Sequence, residues 1–297
     1  MAAAVLWASN GVISKHLMNS GLSPFALAQL RLSLAAALAV AWLAATDSRA
    51  LLIRKGDILG LALVGGMLAA VNGCYLSAIS RIPTAAAILL EYAAPAFTAF
   101  YAWRFMDERI GPAKAIATAL ALVGCYLVAG GHDLDLLSLN RWGLLWGLGA
   151  ALSFSLYGIC SEYSLRRYSP WTVLCYALIV SAAVWNLIGG LGVLTAVSHG
   201  GRFWLLVLYS AGAGTVIPFG LFAYGIERLR ATRATILATF EPIAAGLIAF
   251  AWLGETLEGF QILGGLVVLS AVILIQRQRQ QDRLTPALLK QGKEAAR

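Results

Sequence analysis

The sequence predicts an all-α integral membrane protein of ten transmembrane helices. Three observations carry this expectation. Apolar residues of the AVILMFWYC set make up 60% of the 297 positions and charged residues only 12%, whereas a soluble domain is roughly 25% charged. The apolar residues gather into ten stretches of bilayer length, and the basic residues collect in alternate connections between them.

A helix needs ~20 mostly apolar residues to cross a ~30 Å hydrocarbon core. Such stretches run over 2–19, 24–45, 57–79, 83–105, 110–130, 142–163, 171–197, 203–227, 232–253 and 257–276. None alternates with the period of two expected of a membrane barrel strand, so the spans are helical. The opening MAAAVLWASN lacks the basic segment that precedes a cleavable signal and reads as the start of the first span.

Orientation follows from the basic residues. With a cytoplasmic N-terminus, the inside connections hold Arg49, Arg54, Lys55, Arg104, Arg109, Lys114, Arg166, Arg167, Arg228, Arg230 and Arg233. The tail adds Arg277, Arg279, Arg283, Lys290, Lys293 and Arg297, so seventeen of 22 basic residues lie inside. Lys15, Arg81, Arg141 and Arg202 fall outside, and Arg31 lies within a span. The net charge of +8 therefore reports topology in the inner (plasma) membrane rather than a nucleic-acid partner. Both termini are expected in the cytoplasm, with 277–297 a solvated basic tail attracted to anionic lipid.

The halves register at one offset. Trp7 and Phe154, Gly11 and Gly158, Ser14 and Ser161, Gly65 and Gly212, Arg81 and Arg228, Pro95 and Pro242, and Glu108 and Glu255 are each 147 residues apart. The expected units are 1–131 and 141–276. Each holds five spans, an odd number, so the second enters the membrane from the opposite side. Inverted repeats of this kind recur in secondary transporters, whose substrate sites lie near the bilayer midplane between the repeats.

The segments RIPTAAAILLEYAAPAFTAFYAWRFMDERI and RLRATRATILATFEPIAAGLIAFAWLGETL resemble the two copies of the EamA-type domain of the drug/metabolite transporter superfamily. LWASNGVISK resembles the first helix of that family. The resemblance covers roughly 2–276 and implies ten helices around a central cavity and export of amino acids or other small metabolites.

Ionisable groups at membrane depth cost about 2.5–3.5 kcal/mol each on insertion scales, so Arg31, Glu91 and Glu241 draw notice. Arg31 and Glu91 sit at similar depth, which suits a structural ion pair. Glu91 also suits a cavity role, meeting a substrate amine or carrying a proton, since burial penalises a charged carboxylate. Glu241, directly before Pro242, is equally a structural acceptor or a ligand. Pro95 and Pro242 each remove a backbone donor, which makes them matched hinge or gate candidates. Trp7, Asn10, Gly11 and Ser14 form one helical face, with Phe154, Tyr157, Gly158 and Ser161 as its counterpart. These stripes suit either helix contact or a cavity wall. Asn72 and Tyr75 in the third span, and Phe222 and Tyr224 in the eighth, are further lining candidates, where aromatic rings offer stacking or cation–π contacts.

Gly143 with Gly147, and Gly56 with Gly60, read as close helix packing. Cys74, Cys125, Cys160 and Cys175 contain no CxxC pair and read as packing residues. His16, His132 and His199 lie far apart, and no HExxH, GxSxG or GxxxxGK[ST] motif occurs. The chain therefore reads as no enzyme and no ATP-driven pump, with no cofactor or metal. The leading reading is a secondary exporter whose partners are a small-molecule substrate and the lipid bilayer; a lipid flippase or channel-like facilitator is the alternative.

Overall fold

Two helices begin with the same device. Ser23 accepts the Ala26 amide at 3.1 Å ahead of Pro24, and Ser169 accepts the Thr172 amide at 3.2 Å ahead of Pro170. In each case the hydroxyl satisfies an open amide, and proline takes the first helical position, where its missing N–H costs nothing. A computed structural model describes residues 1–106, 108–128, 140–190, 193, 200–253, 259–277 and 285–295, and among these there is no strand. Glu255, His132 and His199 lie outside the described residues, as do Arg279, Arg283 and Arg297.

The helices in chain order are α1 (Ala2–Asn19), α2 (Pro24–Thr46), α3 (Ile58–Ile79), α4 (Thr84–Glu91), α5 (Ala94–Phe105) and α6 (Pro112–Val128). They continue as α7 (Arg141–Ser164), α8 (Pro170–Gly189), α9 (Gly201–Ala211), α10 (Ile217–Ala238), α11 (Glu241–Leu253), α12 (Gly259–Arg277) and α13 (Pro286–Ala295). Among the described residues, six helical segments are long and apolar enough to cross a membrane: Pro24–Thr46, Lys55–Ile79, Arg141–Ser164, Pro170–Gly189, Gly201–Ala238 and Gly259–Arg277. Trp42, Phe100, Trp103 and Leu187 are all more than half exposed on the outer surface, an apolar coat that lipid covers. The chain is a multi-pass helical membrane protein.

Two expected spans are broken. The stretch 83–105 splits into α4 and α5, and the stretch 232–253 splits between the end of α10 and α11. Pro95 and Pro242 are the second residues of α5 and α11. A proline there lacks the N–H that would bond four residues back, and its ring crowds that carbonyl, so the preceding helix ends at Glu91 and at Ala238. A third interruption is the π turn Gly212–Val216 joining α9 to α10, where Pro218 has no N–H for the Gly214 carbonyl. The fourth is Arg230, which breaks α10 with φ 70° and ψ 162°.

These breaks recur at the sequence offset. Glu91 and Ala238 end their helices, Ala94 and Glu241 start the next, and Pro112 and Gly259 start the ones after; each pair is 147 apart. Pro83, which precedes α4, corresponds in the same way to Arg230.

The core lies where α2 and α3 meet α7 and α8. A Cβ on Gly65 would stand 2.9 Å from the Ala177 carbonyl oxygen, so α3 and α8 are in backbone contact. Gly147 admits Leu90 of α4, whose Cδ1 would lie 2.6 Å from an added Cβ, and Gly143 admits Ile82. Gly56 and Gly60 differ from expectation: nothing lies within 4 Å of a Cβ at either, because they sit just before and near the start of α3, clear of any neighbour. The small-residue contact that sequence missed joins α6 to α12, where a Cβ on Gly124 would stand 2.9 Å from the Gly264 carbonyl and one on Gly264 would stand 2.8 Å from that of Gly124.

Helix α7 has 24 residues, or ~36 Å at 1.5 Å per residue, and joins two ends of the bundle. Arg81 lies beside Gly143 at its start. Beyond its other end, the Tyr168 hydroxyl donates to Asp57 at 2.8 Å and accepts the Arg54 amide at 3.1 Å. Arg167 also bonds Asp57 there, at 2.5 Å. At the same end Lys290 of α13 bonds the Tyr168 carbonyl and Glu227, both at 2.6 Å, next to Arg228. The tail is thus not wholly solvated: part of it folds as α13 and docks on α10.

Candidate functional site

The helix breaks surround a central cavity. Its walls come from α1 (Trp7, Asn10, Gly11, Ser14), α2 (Arg31), α3 (Asn72, Tyr75), the α4–α5 break (Glu91, Tyr92, Pro95), α7 (Phe154) and the second-half breaks (Gly214, Thr215, Glu241). The cavity volume is about 80 Å³, against ~10–15 Å³ for one water on the same measure, which is room for several waters or one small polar molecule.

Most sequence candidates meet here. Trp7, Asn10, Ser14, Arg31, Asn72, Tyr75, Glu91, Pro95 and Glu241 all line the cavity. Three helices bring aromatic rings together on one wall: Trp7 meets Phe154 at 5.9 Å and Phe219 at 5.0 Å between ring centroids. Phe222, 5.5 Å from Trp7 and 5.1 Å from Phe154, backs this wall without lining the cavity. Tyr157 is fully buried and stands edge-on to Phe219 at 5.5 Å. Ser161 is buried in the same helix, also off the lining. Pro242 is buried beside Glu241. Tyr224 is placed elsewhere: it is 48% exposed, with Arg228 over its ring at 4.8 Å.

The polar groups of the wall are partly tied to protein. Ser210 donates to the Asn10 Oδ1 at 2.7 Å, and Asn10 fills the space that a side chain at Gly214 would need. That glycine is what lets α1 approach the π turn. Arg31 bonds differently from the expected ion pair. Its Nη1 donates to the Ser14 hydroxyl at 3.4 Å and its Nη2 to the Asn72 Oδ1, while Asn72 anchors itself on the Leu68 carbonyl at 2.8 Å. No ion pair within 4 Å joins Arg31 to Glu91 among the described residues. Equal depth in the membrane gives height alone; the rotation of α2 turns the guanidinium toward α1 and α3.

Sequence reasoning missed a second polar centre, at the α7 end where Glu162 sits. Lys114 pairs with Glu108 at 2.9 Å, and Arg230 pairs with Glu162 at 2.9 Å and Glu108 at 3.4 Å. The Ala231 amide donates to Glu162 at 2.8 Å and the Thr232 hydroxyl to Glu108 at 3.2 Å. All four charged side chains are almost wholly buried. The signal was available: Glu162 and Lys114 fall inside apolar stretches, where a charge is costly without a partner. Thr215 and Thr235 of the cavity wall were also overlooked, although each is a polar residue within an apolar run.

Broken helices bordering a polar cavity inside a helical bundle are the construction of a secondary transporter. The EamA-like transporter family matches residues 1–130 and 141–277, and the chain belongs to that family. An uncharacterised transporter of Archaeoglobus fulgidus is 30% identical over 225 residues, spanning 74% of this chain and 76% of the relative. A probable terminal-alkyne amino-acid exporter of Streptantibioticus cattleyicolor is 29% identical, covering 69% of each chain. The threonine/homoserine exporter RhtA of Salmonella typhimurium is 27% identical, covering 76% of this chain and 75% of its own. A solved crystal structure shares the fold, with a TM-score of 0.77 at 19% identity over 95% of this chain and 96% of that one.

Proposed function

We propose that the protein is a secondary carrier, not an enzyme, that exports amino acids or similar small metabolites across the inner membrane by alternating access. In this reading the ten apolar stretches are ten spans, 1–131 and 141–276 are two five-helix repeats of opposite orientation, and both termini are cytoplasmic. The observation that carries it is the polar cavity walled by helices interrupted at positions 147 residues apart: after Glu91 and after Ala238, each with proline following. Two similar halves facing opposite ways exchange conformations and open one central site to either side in turn. Pro95 and Pro242 serve as the hinges. The opposite orientation draws support from Arg81 and Arg228, which are matched by the offset yet border opposite ends of α7. The amino-acid class draws support from the two relatives named as amino-acid exporters.

The test is counterflow in proteoliposomes against a panel of labelled amino acids at two pH values. Saturable uptake that depends on unlabelled amino acid inside the vesicle is the expected result. Non-saturable flux would indicate a channel, and transfer of labelled lipid with no amino-acid flux would indicate a flippase.

A further inference from the structure

The cavity holds two buried N–H donors without a partner among the described residues. One is the Nε of Arg31, a residue only 5% exposed; the other is the indole Nε1 of Trp7. Both residues line the cavity. The hydrogen bonds that Arg31 does make go to Ser14 and Asn72, neutral acceptors, and among the described residues no carboxylate pairs with its charge within 4 Å. A buried charge in that state is costly, and the cost falls when an anion enters. Nothing at the ion cluster beyond Glu162 resembles this, since Arg230 there has two carboxylates.

Glu91 is the complement. Its side chain lines the same cavity and makes no ion pair or hydrogen bond among the described residues. Glu241 is a second acid in the wall, so the cavity sets one guanidinium beside two carboxyl groups. That set offers a cation for a carboxylate and a carboxyl group for an ammonium. Between the charged groups, Trp7, Phe154 and Phe219 supply an apolar wall for a side chain.

We propose that Arg31 receives the carboxylate of a zwitterionic substrate, with Trp7 as the second donor, and that Glu91 receives its ammonium. Arg31 is then a specificity residue rather than a structural partner of Glu91. The assignment rests on the reading of the cavity as the substrate site of an amino-acid carrier. It deepens that reading by naming the two groups the substrate must carry.

Counterflow of labelled L-threonine and L-phenylalanine into vesicles holding the full-length protein tests it, with each amino acid, its methyl ester and its N-acetyl derivative as unlabelled competitors. The free amino acid should compete at least ~10-fold better than either derivative, because a site built around a charged group rejects a ligand lacking it. Arg31→Gln should lose the preference for the free acid over the ester, while Arg31→Lys, which keeps the charge, should retain part of it. Glu91→Gln should lose the preference over the N-acetyl form. If wild-type protein transports amino acids but takes the methyl ester equally well, the Arg31 assignment falls while the carrier stands. If no amino acid moves, the carrier reading falls and the assignment with it. The wild-type comparison decides the matter even where a variant fails to fold.

Discussion

The protein buries charge in two places and treats it in opposite ways. Around the end of α7, Glu108, Lys114, Glu162 and Arg230 form a continuous chain of ion pairs between 2.9 and 3.4 Å, closed by a backbone amide and a threonine hydroxyl. In the central cavity Arg31, Glu91 and Glu241 face shared space, and Arg31 rests on neutral groups. The first arrangement leaves nothing for a ligand. It ties Glu108 and Lys114 of the first half to Arg230 and Thr232 of the second, so it acts as a bolt between them. The bolt also holds Arg230 at φ 70° and ψ 162°, a region used almost only by glycine that costs about 1–3 kcal/mol. Satisfied charge here is structure; unsatisfied charge is a place kept for something else.

The contrast is sharpest under deletion. Glu162→Ala removes the main carboxylate of Arg230 and the acceptor of the Ala231 amide, leaving a buried cation in a strained backbone. Removing one member of a buried pair costs about 3–5 kcal/mol. The melting temperature of the detergent-solubilised protein should therefore fall further than for any single substitution among the polar groups of the cavity. A melting temperature equal to wild type would mean that the cluster bears no load, and the distinction between the two regions would vanish.

Asn72→Ala should follow in size. A hydrogen bond to a charged group is worth about 1.5–3 kcal/mol, and Asn72 is one of the two side-chain acceptors that hold Arg31. Stability should drop within that range. Flux should drop further than stability explains, since the guanidinium loses its position at the cavity wall. Parallel melting and counterflow measurements separate the two effects.

Much of this is legible in the amino-acid sequence. The apolar stretches mark the helices because crossing a bilayer sets a minimum length, and the lining residues of the first helix named from sequence converge because stripes at helical spacing share a face. What depth arithmetic lacks is rotation about the helix axis. Height alone pairs Arg31 with Glu91, whereas the actual partner, Asn72, lies on α3. Phe222 and Tyr224 look equivalent in the sequence, yet residues two apart point ~200° away from each other on a helix, so one is buried and the other exposed. Lys114 and Arg230 read as loop charges that report orientation, and Glu108 as the repeat counterpart of Glu255. Lys114 lies inside an apolar stretch, which hints at burial, but the burial of Glu108 and Arg230 depends on how the ends of α5, α6, α7 and α10 meet, which no local pattern records.

Glu91→Gln is expected to leave stability almost unchanged, in contrast to Glu162→Ala. No ion pair is lost, and exchanging a buried carboxylate for an amide removes a desolvation cost. Its effect should appear in transport alone: flux driven by a pH gradient should vanish if Glu91 carries the coupling proton. A variant with wild-type pH dependence would remove that role from Glu91 and leave it the ammonium contact only. Arg31, Tyr75 and Glu241 border the same cavity, so the variant must be compared with wild type over the whole pH range rather than at one value.

The smallest effect expected is at Tyr224, and its smallness is informative. Its ring is 48% exposed, and Arg228 stands over it at 4.8 Å. Surface substitutions usually stay within about 0.5 kcal/mol, and Tyr224→Ala should leave melting and counterflow near wild type. Phe222→Ala, two residues earlier, should by contrast disturb both, because Phe222 stacks on Phe154 and meets Trp7 edge-on behind the cavity wall. If the two variants behaved alike, the rotation of α10 that brings Phe219 to the cavity and turns Tyr224 away would be in error. Of the three rings on the aromatic wall, Phe219 is the one that α10 supplies.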